Sequence, residues 1–139
     1  MKFTCRFFLL ALFASVSICS TSTLHAQGAP PLVPLVMVSF ADEQLVHLHG
    51  HDGQFPPLTA NPGETGDVHL HFPAVYAGTP LVIAAMDGGY LVLTDQSTSI
   101  DSQGRASFQF QTGVDPGPYR VLIVAGGTPS MLQFSVPSP

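Results

Sequence analysis

Five histidines stand in two short runs, His47, His49 and His51 in VHLHGH and His69 and His71 in VHLHF. In an extended chain, residues two apart share a face and lie roughly 6.5 to 7 Å from each other. Val46 and Leu48, with Val68, Leu70 and Phe72, then point to a core, and the histidines point together to the other side. If the two strands are neighbours, two His-x-His pairs face one another and offer the four nitrogen ligands that zinc or copper accepts. His51 follows as a fifth or substitute ligand at the mouth of a loop. Asp52, Glu64 and Asp67 are close in sequence, as extra oxygen ligands or as groups that orient the imidazoles. Such a site takes Cu(II), Zn(II) or Ni(II) in preference to Mg(II) or Ca(II), which prefer oxygen. The plain alternative is that histidine fills the wet face of two half-exposed strands. Against it, every histidine beyond residue 26 lies between positions 47 and 71 in His-x-His spacing, and lysine, the usual solvating residue, is absent from the same stretch.

Other chemistry is poorly represented. Met37, Met86 and Met131 are soft enough to ligate reduced copper, but methionines scattered through strands usually fill cores and are read so here. Both cysteines, Cys5 and Cys19, precede residue 27, which excludes thiol chemistry and disulfides from the rest. There is no nucleophile elbow, Walker loop or HExxH motif, and Gly88-Gly89 suits a hairpin turn better than a phosphate cradle. The chain is read as a binding protein, not an enzyme.

The elements that must position these residues begin after a leader. Lys2 and Arg6 precede an apolar run over 7–18, and a polar stretch leads to Ala26, the pattern of a signal peptide over 1–26 with cleavage before Gln27. Leu24 is larger than its place before the cut usually accepts. A lipoprotein reading through Cys19 is poorer, because bulky Ile18 precedes it. The protein is therefore expected to be exported, either periplasmic or secreted, with no membrane span, since no later segment approaches the roughly 20 apolar residues a membrane helix needs. The remainder carries nine acidic residues against Arg105 and Arg120, which makes nucleic acid and anionic membranes poor partners.

A Pro-rich lead-in is expected over 27–33 and one all-β domain over 34–139. Short β-rich runs fall at 34–40, 44–49, 67–72, 80–86, 90–94, 105–111, 119–125 and 130–136, with no helical period. Ala106, Phe108 and Phe110 alternate with Arg105, Ser107, Gln109 and Gln111, and Leu132, Phe134 and Val136 alternate with Met131, Gln133 and Ser135. The run over 119–125 is apolar on both faces apart from Arg120, as in a central strand covered on both sides. Asp87-Gly88-Gly89, Asp101 to Gly104 and Gly126-Gly127 supply tight turns. Seven or eight short strands so spaced predict a β-sandwich. Residues 50–66 form an unusually long connection, the kind that is functional or disordered.

Asp115-Pro116-Gly117-Pro118-Tyr119-Arg120-Val121 resembles the D-x-G-x-Y-x-C start of strand F in immunoglobulin domains. There the tyrosine forms a corner by bonding back to nearby backbone. With Asp101-x-x-Gly104-x-Ala106-x-Phe108 before it and Leu132-x-Phe134-x-Val136 after, residues 98–137 are similar to bacterial immunoglobulin-like surface modules of the invasin and intimin type. The resemblance implies the fold and a spacer, adhesin or domain role. Val121 replaces the cysteine and the chain has no tryptophan, so the disulfide-on-tryptophan core of antibody domains is absent. HLHGHD also resembles the histidine motif of multicopper oxidases over six residues, but the other histidine clusters and the cysteine ligand of that family are missing. A cupredoxin is excluded by the same missing cysteine.

Three functions remain open. The first is an exported immunoglobulin-like module binding a Cu, Zn or Ni ion. The second is a surface interaction domain meeting a protein or glycan partner through a sheet edge, the 50–66 loop or the lead-in. The third is a small metal-dependent enzyme.

Overall fold

The computed structural model describes residues 32–41, 45–92 and 96–139. The segment over 1–26 expected to be a signal peptide and residues 27–31 of the expected lead-in lie outside the described residues. Among the described residues nine strands run in chain order: β1 (Leu35–Phe40), β2 (Val46–Leu48), β3 (Leu58–Thr59), β4 (Thr65–His71), β5 (Leu81–Ala85), β6 (Tyr90–Val92), β7 (Arg105–Gln111), β8 (Gly117–Ala125) and β9 (Thr128–Val136). They form two sheets, one of five strands in the order β2-β1-β4-β7-β6 and one of four in the order β3-β9-β8-β5. The all-β sandwich expected from the alternation is therefore the fold.

Alternation builds the core from both sheets. Val36, Val38, Val68, Leu70, Phe108 and Phe110 of the first meet Val121, Ile123, Leu132 and Phe134 of the second, and all are almost fully buried. Phe134 joins the layers most directly. Its ring stacks on Phe110 at 4.9 Å between centroids and takes Phe40 edge-on at 6.0 Å, arrangements that add to what burial of the rings contributes.

Several turns behave as their residues predict. Gly126 and Gly127 both have positive φ, 53° and 85°, and close a two-residue hairpin between Ala125 and Thr128. Asp87 and Gly88 also adopt positive φ, 61° and 82°, but this turn is not a hairpin. It carries the chain from β5, in one sheet, to β6, in the other.

The long 50–66 connection is more ordered than its composition suggests. It leaves β2 in the first sheet and crosses to the edge of the second, where β3 pairs parallel with β9. Phe55 and Ala60 are buried, and backbone bonds to Met131 and Ser135 fix the crossing. Leu32 and Val33, counted in the lead-in by composition, pack against the core.

Strand β8 departs from expectation. Its inner face, Tyr119, Val121, Ile123 and Ala125, is buried, but Leu122 and Val124 on its outer face are half-exposed. A two-layer sandwich covers each strand on one side only, so two-sided apolarity here does not mean two-sided burial.

Candidate metal-binding face

The histidines are placed by the pleat of the five-stranded sheet. On β4, Val68 and Leu70 are fully buried, so Asp67, His69 and His71 face outward. His69 is exposed and His71 half-buried. On β2, Leu48 is buried and His47 exposed on the same outer face. His49 is exposed just beyond the end of that strand.

The two histidine strands are not neighbours. Strand β1 lies between them, so the His-x-His pairs do not face one another directly. The register sets the spacing. Met37 is the Cα partner of His47 on β2 and of His69 on β4, and His69 is in turn the partner of Ser107 on β7. One rung of the outer face thus reads His47, Met37, His69, Ser107. A β1 residue directs its backbone polar groups toward one neighbour, so one of its two pairings is wide and the other narrow, and the Cα atoms of His47 and His69 stand about 10 Å apart. The next rung along β4 reads Leu35, His71, Arg105.

The acidic residues divide among different surroundings. Asp67 stays on the face, two residues before His69, and its Oδ1 accepts a 2.7 Å hydrogen bond from Gln109 Nε2. Asp52 pairs instead with His51, whose Nδ1 lies 3.0 Å from its carboxylate, both side chains being almost wholly exposed. His51 itself is held by backbone bonds to Gln54 on the crossing loop, away from the sheet rungs. Glu64 belongs to a turn, where its carboxylate accepts the Asn61 N–H at 2.6 Å and its own N–H donates to Thr112 Oγ1. The sequence neighbours of the histidines are therefore not all their spatial neighbours. Among the described residues, no three histidine, cysteine or acidic side chains are gathered closely enough to hold a metal ion by themselves.

Beside His69 and His71 the face dips into a shallow polar hollow lined by Ser97, Ser99, Asp101, Arg105 and Ser107. Asp101 Oδ1 accepts the N–H groups of Arg105 and Gln103 at 2.8 Å each, and these bonds, that of Arg105 foremost, hold its carboxyl below the ordinary range. The Arg105 guanidinium lies 3.5 Å from the same carboxylate. Strand β7 thus places the Arg105–Asp101 ion pair opposite His71.

Met37 is the residue that composition misassigned. Read as core filler, it sits half-buried on the outer face, and neither Met86 nor Met131 belongs to the core cluster either. The parity of β1 carries the signal: Val36, Val38 and Phe40 form the inward set, so Met37 shares its face with Ser39.

No helix among the described residues is long and apolar enough to cross a membrane. No protein-family model matches the sequence, and no curated protein does. Among solved structures the chain is similar to domains 4 and 5 of the S-layer protein SbsC, with a TM-score of 0.36 and 14% identity over 78% of this chain and 68% of that one.

Proposed function

We propose that the protein is an exported, non-catalytic, immunoglobulin-like module that binds a transition-metal ion on the outer face of its five-stranded sheet. Export rests on the leader pattern over 1–26. The immunoglobulin-like reading is supported by strand order. Constant-type immunoglobulin sandwiches arrange strands A-B-E-D in one sheet and C-F-G in the other. Strands β1-β4-β7-β6 and β5-β8-β9 follow those two orders, with β2 and β3 added at the edges. The Tyr119 hydroxyl, which donates to the Asp115 carbonyl at 2.8 Å, supports it independently.

The observation that carries the metal reading is that His47 and His69 share a rung on one exposed face, with His71 one step along β4. Imidazoles projecting from one rigid sheet surface can be brought to an ion by side-chain rotation alone. The test is calorimetric titration of untagged protein with Zn(II) and Cu(II), beside a His69→Ala/His71→Ala variant. A single tight site lost in the variant supports the reading. Weak, multiple binding that survives the double substitution leaves only a histidine-bearing surface.

A second reading, an interaction domain meeting a protein or glycan, is favoured by the opposite side of the sandwich. Val82 is 61% exposed there and lies in register with Val124, while Ala84, Leu122 and Met131 form the adjacent rung. Contiguous apolar surface of this kind marks contact sites. Loss of partner binding on Val82→Lys, with metal affinity unchanged, would favour it.

A further inference from the structure

We infer that His47, Met37 and His69 form a site selective for Cu(I), with Met37 supplying a thioether between two imidazole nitrogens. This rests on the proposal that the outer face of the five-stranded sheet binds metal, and it assigns that face a ligand set and an oxidation state.

The geometry begins with the shared rung. Met37 is paired with His47 on one side and His69 on the other, so all three side chains leave the sheet at one level. Their common direction follows from burial, since the residues flanking Met37, Val36 and Val38, are fully buried and those flanking His69, Val68 and Leu70, are too. With the two histidine Cα atoms about 10 Å apart, and metal–nitrogen bonds of about 2.0 Å, each imidazole need lean only roughly 3 Å toward the centre. The Met37 side chain, unbranched and adjustable, leaves the strand between them and can bring its sulfur to that point.

The donor set then selects the ion. Thioether sulfur is a soft ligand that favours Cu(I), whereas Cu(II) prefers a tetragonal field of nitrogen and oxygen, and the rung carries no carboxylate. Zinc takes thiolate, imidazole or carboxylate and gains little from a thioether. Neighbouring groups restrict the site to this rung. Arg105, paired with Asp101, stands opposite His71 and offers that rung no further metal donor, and the Asp67 carboxylate accepts a bond from Gln109. Met37 lies half-buried on the outer face of β1 between Leu35 and Ser39, outside the core cluster.

The experiment is an anaerobic competition between a coloured Cu(I) chelator and the untagged full chain with Cys5→Ser and Cys19→Ser, which removes thiols that would themselves take Cu(I), beside a Zn(II) titration. The variants are Met37→Leu, His47→Ala and Met86→Leu. Leucine keeps the volume and apolarity of methionine, and thermal melts check that each variant folds. One Cu(I) per chain is expected. Met37→Leu and His47→Ala should each lower Cu(I) affinity about tenfold or more, Met37→Leu leaving Zn(II) affinity within about threefold, and Met86→Leu should leave Cu(I) binding in place. The methyl signal of Met37 should shift on adding Cu(I), with those of Met86 and Met131 unmoved. Undiminished Cu(I) affinity in Met37→Leu overturns the inference. So does a wild-type protein that binds Zn(II) or Cu(II) but no stoichiometric Cu(I), in which case the histidine face remains a metal site. Absence of all metal binding overturns both.

Discussion

The hydroxyl of Tyr119 donates a 2.8 Å hydrogen bond to the backbone carbonyl of Asp115, four residues upstream, as the chain turns into β8. The tyrosine is 6% exposed, so the bond is formed where water competes poorly. Tyr119→Phe deletes it without changing the ring and should destabilise the protein by about 0.5 to 2 kcal/mol. Denaturant melts read this directly, and an unchanged midpoint would remove the corner from the account. Gly113→Ala gives a second approach, because a β-carbon at Gly113 would collide with the Tyr119 ring and hydroxyl. It should be at least as damaging as the loss of the hydroxyl.

Gly104 and Gly88 make a matched pair. Both have φ near +80°, but a β-carbon at Gly104 would run into the Phe72 carbonyl, whereas one at Gly88 meets open space. Gly88→Ala should cost about 1 kcal/mol from backbone strain alone. Gly104→Ala should cost clearly more and should loosen the end of β4 beside His71, since the Phe72 N–H donates to the Gly104 carbonyl. Equal melting shifts for the two variants would mean that the turn relaxes around the clash.

Acid should weaken the fold through Asp87 and Asp101. Arg120 holds Asp87 in a two-pronged pair, with Nε at 2.7 Å from Oδ2 and Nη2 at 2.9 Å from Oδ1, and this bonding lowers the carboxyl below its ordinary value. Asp101 is lowered by the backbone N–H groups it accepts, that of Arg105 foremost. A depressed folded-state value stabilises the protein above the unfolded carboxyl range, near pH 3.9, and the contribution is lost as pH falls through the folded value. Melts of wild type, Asp87→Asn and Asp101→Asn from pH 7 downward should converge at the acid end. Curves that stay parallel would show that neither carboxylate contributes.

Metal should stabilise the folded protein in proportion to its binding. With free Zn(II) about a hundredfold above its dissociation constant, linkage gives about 2.7 kcal/mol. Imidazole ligates only when neutral and free histidine titrates near pH 6.5, so the gain should shrink between about pH 7.5 and 5.5. His47→Ala/His69→Ala should abolish the thermal shift and His49→Ala/His51→Ala should retain it. The reverse result would move the site from the sheet face to the crossing loop.

Much of the fold was determined by the sequence itself. Strict alternation in 105–111 and 130–136 encodes β7 and β9 because a strand with one wet face must repeat every second residue. Gly126-Gly127 encodes the β8–β9 hairpin because glycine, without a β-carbon, takes the two consecutive positive φ angles of a tight hairpin at little cost. The outward direction of His47, His69 and His71 is equally local, fixed by the apolar residues on either side. Tertiary structure decided what local periodicity cannot carry, namely which strands are neighbours. Pairing is a long-range choice made by sheet packing, so the insertion of β1 between the two histidine strands, and with it Met37 between His47 and His69, had no signature in either run. The same holds for Asp87-Gly88, whose residues dictate the turn but not that it crosses between sheets. It holds too for the 50–66 segment, whose Phe55 and Ala60 become core only because β9 offers an edge to dock against.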